Sequence, residues 1–236
     1  MNINSFSRIN KHNYIRCISV VLNLFLTAFL FISCGNSEDD NVVKSYYDDG
    51  TLKSELRYKD GKLNGESVWY YSNGKPQMKI NYTNDTLNGE AVRWYDNGNV
   101  EAKYFFKDDQ YEGSFEKYNV YGVKVKLEHY RDGVLHGELK QWYDNGNLFV
   151  EGMYNEGMFH GKWVIYYENG SVGSFATYNN GAGVQKGYST DGILITEIHY
   201  RDNVKDGEEI HYDRNGSVVE VLLWEEGEFV KKINKK

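Results

Sequence analysis

The sequence predicts an all-β protein built of about eight 24-residue β-hairpin repeats. Three observations predict it. Glycine recurs at a fixed interval in two interleaved series. Two aromatic columns run through every interval. The segments between the glycines are short, β-prone and bounded by turn residues, for example Glu66–Tyr71 and Lys75–Tyr82, and helical spacing is not sustained across them.

The chain begins with a different kind of segment. Residues 1–16 carry Arg8, Lys11 and Arg16 and no acid, and an apolar run follows from Cys17 to Ile32. A basic start, an apolar run of about 15 residues and a small residue before the cut mark a secretory signal. A membrane span needs about 20 apolar residues, and this run is interrupted by Ser19, Asn23 and Thr27. Its end, Phe31-Ile32-Ser33-Cys34, resembles a bacterial lipobox, with Phe31 where Leu is usual. That resemblance implies cleavage before Cys34 and attachment of lipid to Cys34. Residues 1–33 are therefore expected to be a lipoprotein signal peptide, and 34–41 an acidic tether. The stretch Gly35–Asp40 looks like the acidic signal that sends some lipoproteins to the cell surface. The expected location is the bacterial outer membrane or cell surface, lipid-anchored.

From residue 42 to 224 the repeats take over. One glycine series lies at 50, 74, 98, 122, 146, 170, 192 and 216, the other at 65, 89, 113, 137, 161, 183 and 207. Both keep a spacing of 24 except for one step of 22 at the same place. Comparison of Gly157–Gly161 with Gly181–Gly183 places the two-residue loss inside a turn. With the second series numbered as position 0, position 5 holds Tyr46, Tyr70, Trp94, Tyr118, Trp142, Tyr166, Tyr188 and Tyr212. Position 17 holds Tyr58, Tyr82, Phe106, Tyr130, Tyr154, Tyr178, Tyr200 and Trp224. A three-residue loop such as Asp96-Asn97-Gly98 puts positions 5, 11, 15 and 17 on one apolar face. Residues 225–236 are expected to be a C-terminal tail.

Segments such as Gly65–Gly74, Gly137–Gly146 and Gly161–Gly170 resemble the MORN repeat in its variant form. The resemblance implies an elongated, single-layer antiparallel meander of stacked hairpins. It also implies a protein-binding scaffold, and bacterial proteins of this kind are often grouped with a YwqK-type antitoxin family. The units holding Asn119 and Ser189 depart most, because both replace a second Tyr.

Composition limits the function. A net charge of -7 argues against nucleic acid, which asks for a basic field. Two cysteines cannot build a disulfide framework or a four-thiolate zinc site. His136 and His160 stand at a turn position that holds Asn64, Asn88 and Asp206 in other units, and type I turn chemistry accounts for the Asp-Asn-Gly ladder. No metal, cofactor or catalytic residue is expected, and the chain reads as a non-enzyme.

The face opposite positions 5 and 17 is expected to display Trp69, Tyr71, Tyr95, Tyr143, Trp163 and Tyr167, a row able to bind a partner. The expected function is a lipid-anchored, non-catalytic protein-binding or scaffold module. An antitoxin or immunity role, or glycan binding, is the alternative. The membrane is reached through the lipid.

Overall fold

The computed structural model describes residues 41–233. The expected signal peptide, Cys34 and the tether up to residue 40 lie outside the described residues, as do residues 234–236. The chain divides into Met1–Ser37 and Glu38–Lys236, and all that follows concerns the second unit.

Nineteen strands form one antiparallel sheet. They are β1 (Asn41–Tyr46), β2 (Leu52–Lys59), β3 (Lys62–Leu63), β4 (Gly65–Tyr70), β5 (Pro76–Thr83), β6 (Thr86–Trp94), β7 (Val100–Lys107), β8 (Gln110–Tyr111), β9 (Gly113–Tyr118) and β10 (Lys124–Arg131). Then come β11 (Val134–Trp142), β12 (Leu148–Asn155), β13 (Met158–Tyr166), β14 (Val172–Asn179), β15 (Ala182–Tyr188), β16 (Leu194–Arg201), β17 (Val204–Tyr212), β18 (Val218–Glu225) and β19 (Glu228–Ile233). Each strand pairs with the next in sequence. β3 and β4 both pair with β2, and β8 and β9 both with β7, so each couple is one interrupted strand. Residues 225–233 continue the sheet: β18 and β19 close a further hairpin.

Two kinds of turn alternate, and local chemistry dictates both. At one side of the sheet the loop has three residues. In Ser72-Asn73-Gly74 the Gly74 amide donates to Tyr71 O (2.9 Å) and Tyr71 N to Lys75 O (2.9 Å). Gly74 sits at φ 79°, where a side chain is disfavoured. Asn73 Oδ1 accepts from Lys75 N (3.0 Å), and Asp49, Asn97, Asn145 and Asn169 do the same in their own turns. At the other side two residues with positive φ make the turn, such as Asn84-Asp85 or Asp132-Gly133.

The three-residue loop is as expected, but the face assignment is not. Trp69 pairs with Met78 and Tyr70 with Pro76, so Gln77 is an extra residue. The same bulge recurs at position 12 in all eight units, at Lys53, Gln77, Glu101, Val125, Phe149, Gly173, Ile195 and Val219. One extra residue flips the side-chain alternation. Positions 5 and 11 therefore lie on one face of the sheet, called outer here. Positions 2, 4, 13, 15 and 17 lie on the inner face, as in Ser67↔Ile80 and Gly65↔Tyr82.

A second irregularity corrects the reading of the 22-residue step. Between β12 and β13 the pairing jumps by two residues, from Glu151↔Val164 to Met153↔His160. Between β14 and β15 it runs without a shift from Ser174↔Gly187 to Asn179↔Ala182. The two residues are missing from this bulge in the strand, not from the turn, and Asn180-Gly181 remains a two-residue turn. Losing two residues preserves alternation, because the strand period is two.

The inner face holds two apolar clusters. One contains Ile80, Ala91, Ala102, Tyr104 and Phe106. The other contains Leu139, Val150, Tyr154, Trp163, Ala176 and Tyr178. Between them β10 carries buried Glu128, held by Lys126 Nζ (2.8 Å) and the Tyr130 hydroxyl (2.9 Å). Large and small residues oppose each other across pairs, as in Ala91↔Tyr104 and Trp163↔Ala176.

The buried phenols make the fold sensitive to alkali. Burial pushes Tyr82 and Tyr200 each up to about 12, and raises Tyr178 as well. An unfolded tyrosine ionises near pH 10. The folded pKa is higher, so this contribution to stability is complete below about pH 10 and is lost as pH rises through about 12. Sheet circular dichroism and tyrosinate absorbance are expected to change together in that window. Phenols that ionise while the sheet signal stays intact would contradict the burial.

Candidate interaction surface

Position 6, the last residue before each three-residue loop, holds Tyr in five units and Asn119, Ser189 and Asp213 in the other three. Each tyrosine hydroxyl donates to the position-5 carbonyl of the following unit. Tyr47 reaches Tyr70 O (2.6 Å), Tyr71 reaches Trp94 O (2.7 Å) and Tyr95 reaches Tyr118 O (2.9 Å). Tyr143 reaches Tyr166 O (2.8 Å) and Tyr167 reaches Tyr188 O (2.7 Å). These bonds staple neighbouring hairpins, and each contributes roughly 0.5–1.5 kcal/mol. The expected partner-binding tyrosines Tyr71, Tyr95, Tyr143 and Tyr167 are thus half-buried staples within the sheet.

The two tryptophans belong to the inner face. Trp163 is 8% exposed, and its Nε1 donates to Met153 O (3.0 Å). Trp69 packs against the first apolar cluster. The six aromatic residues do not form one open row, because the bulge at position 12 puts Trp69 and Trp163 inside.

The outer face carries tyrosine, lysine and glutamate in cross-strand sets. Tyr70, Tyr166 and Tyr212 donate to Glu55, Glu151 and Glu197, at 3.1, 2.8 and 3.0 Å. Lys44 and Lys186 pair with Glu55 and Glu197. The lysine ammonium holds each of these two carboxyls below the usual glutamate range. The bonded glutamates also raise the tyrosine phenols, second to burial.

One part of the outer face forms a groove. At position 14, which holds Glu55, Lys79, Lys103, Glu151 and Glu197 in five units and Leu127 and Val221 in two, β14 presents Phe175. Phe175 is 36% exposed and Val172 is 40% exposed. With Lys162, Val164, Tyr166 and Tyr188 they line a shallow groove of about 420 Å³. Lys162 Nζ lies 5.9 Å from the Phe175 ring centroid. The groove adjoins the irregular unit, where Ser189 ends the tyrosine staples and Gly187 replaces a side chain in β15. Sequence periodicity alone does not single it out, because position 14 also holds Leu127 and Val221.

Two of the histidines serve the turns. His136 Nδ1 lies 3.3 Å from the Glu156 carboxylate, and His160 Nδ1 lies 3.1 Å from Asn180 Oδ1. Among the described residues no three His, Cys, Asp or Glu gather as a metal ion needs.

The family described as the MORN repeat variant matches residues 39–60, 63–84, 87–108, 135–156 and 159–180. No curated protein matches the chain. The five matched segments are the five units with Tyr at position 6; Asn119, Ser189 and Asp213 lie outside them. Over these five segments, hairpin by hairpin, the chain is similar to the MORN repeat variant.

Proposed function

We propose that the protein is a lipid-anchored cell-envelope protein whose sheet is a non-catalytic binding module for another protein. The observation that carries the reading is the outer-face groove. It is an exposed apolar strip, rimmed by Phe175 and Val172 and flanked by Lys162. Aromatic anchors with polar surrounds are what protein interfaces use. The lipobox-like Phe31–Cys34 supports the anchor, and the MORN-type units support a binding role. The aromatic rim also suits a sugar ring, which keeps a glycan as the second reading.

The test is crosslinking capture from native membranes with the tagged full chain, read by mass spectrometry. One stoichiometric partner is expected, lost in the double variant Val172→Lys, Phe175→Lys, whose changes lie on the exposed rim. A partner retained by that variant would remove the groove from the reading. Retention on polysaccharide, with no protein above background, would move the reading to glycan binding. Cys34→Ala is expected to leave the membrane fraction.

A further inference from the structure

The sheet is open among the described residues. β1 pairs only with β2, and β19 only with β18. A sheet edge offers a row of backbone donors and acceptors to any chain that can lie against it. The C-terminal edge is also sticky: Phe229 is 53% exposed and Val230 45%.

Strand direction limits what can join. With β3–β4 and β8–β9 each counted as one interrupted strand, successive strands alternate in direction. β1 and β19 then run the same way, because both are first strands of a hairpin unit. Joining β19 of one copy to β1 of another, with inner faces aligned, would make a parallel pair, the less stable kind. Joining β19 to β19 about a two-fold axis perpendicular to the sheet makes an antiparallel pair. It also keeps the inner faces on the same side, so Phe229 and Trp224, which pair across β18 and β19, continue into the second copy.

Charge selects that arrangement. The segment reads Glu225-Glu226-Gly227-Glu228-Phe229-Val230-Lys231-Lys232, acidic first and basic last. Antiparallel self-pairing sets the acidic end of each copy against the basic end of the other. Lys232 is engaged with Glu220 (2.6 Å), but Glu228 and Lys231 have no ion-pair partner among the described residues. The strand alternation puts both on the outer face, since they oppose Glu225 and Leu223. At the other edge, β1 also exposes Val42 and Val43, but its one charged residue is Lys44, already paired with Glu55, so it has no such charge self-complementarity.

We propose that β19 is a homodimer interface, in which two copies of this chain pair antiparallel edge to edge and extend one sheet into the other. The interface leaves the outer-face groove open in both copies, so partner binding and dimerisation are separable.

The experiment is sedimentation velocity of the full chain in mild detergent, for the native sequence and two charge variants. The native chain is expected to dimerise reversibly. Lys231→Glu makes both of the facing positions 228 and 231 acidic, and Glu228→Lys makes both basic. Each variant alone is expected to weaken self-association by about tenfold, because like charges then face each other twice across the axis. Mixing the two is expected to restore the dimer as a heterodimer. Both positions are exposed at a sheet edge, and unchanged circular dichroism of each variant verifies folding. A monomeric native chain, a dimer indifferent to both variants, or a mixture that stays monomeric would overturn the proposal.

Discussion

Glu209→Leu is expected to destabilise the C-terminal units by about 3 kcal/mol, read as a lower midpoint in chemical denaturation. Glu209 and Lys205 are both buried on the inner face, in columns that hold apolar residues elsewhere. Position 2 has Leu139 and Trp163, and the column of Lys205 has Leu135 and Phe159. The ammonium lies 2.6 Å from Glu209 Oε2 and 4.4 Å from the Trp224 ring centroid. His211 Nε2 lies 3.1 Å from the other carboxylate oxygen. Removing the carboxylate leaves Lys205 charged, out of water and facing an aromatic ring, and the remaining cation–π contact offsets only part of that cost. The pair itself is not a net source of stability. The double variant Lys205→Leu, Glu209→Leu is expected to recover the native midpoint or exceed it, since it restores the apolar columns. A single variant that costs less than about 1 kcal/mol would mean that Lys205 swings out to water instead.

Gly152→Ala is the second large effect, again about 3 kcal/mol, from overpacking together with a strained hydrogen bond. Gly152 faces Trp163 across the inner face, and a Cβ there would stand 2.2–2.5 Å from three ring carbons. The ring cannot yield easily. Its Nε1 is bonded to Met153 O, and Tyr154 and Phe159 pack on it with centroids at 5.2 and 4.7 Å. A double-mutant cycle isolates the cause. In a Trp163→Ala background the same Gly152→Ala change is expected to cost less than about 0.5 kcal/mol, because the clashing atoms are gone. Equal costs in both backgrounds would assign the effect to the backbone of β12 instead.

Both predictions depend on the inner face, and the inner face is where reading the sequence stopped short. The loss of two residues at 181–183 was visible in the glycine spacing, but its site was not. A turn and a bulge shorten the chain equally, and only the unbroken pairing of β14 with β15 tells them apart. The candidate row fared similarly. Tyr71, Tyr95, Tyr143 and Tyr167 were legible as a column, but their hydroxyls bond to carbonyls 21–23 residues further on. Such a role depends on how hairpins stack. It could have been suspected only from the repeat of Tyr at one place next to the loop. The groove at Phe175 is not legible in the column itself, which also holds Leu127 and Val221; it exists only once Val172, Tyr166 and Tyr188 stand around the ring.

The repeat length, the hairpins and the three-residue loop are all legible in the chain's local residues. Each is decided within a few residues: Asn or Asp bonding to its own turn, Gly at positive φ, β-prone segments between them. Only the tertiary structure decided which side chains are inside. The bulge that sets this falls on Lys, Gln, Glu, Val, Phe, Gly and Ile in different units, so no residue type marks it. It arises because each strand must satisfy a turn at one end and a pairing register along its length, and one surplus residue absorbs the difference. That single residue reverses the face of every side chain beyond it. It places Trp163 in the core, and leaves the tyrosines of position 5 on the outer face with their glutamate partners.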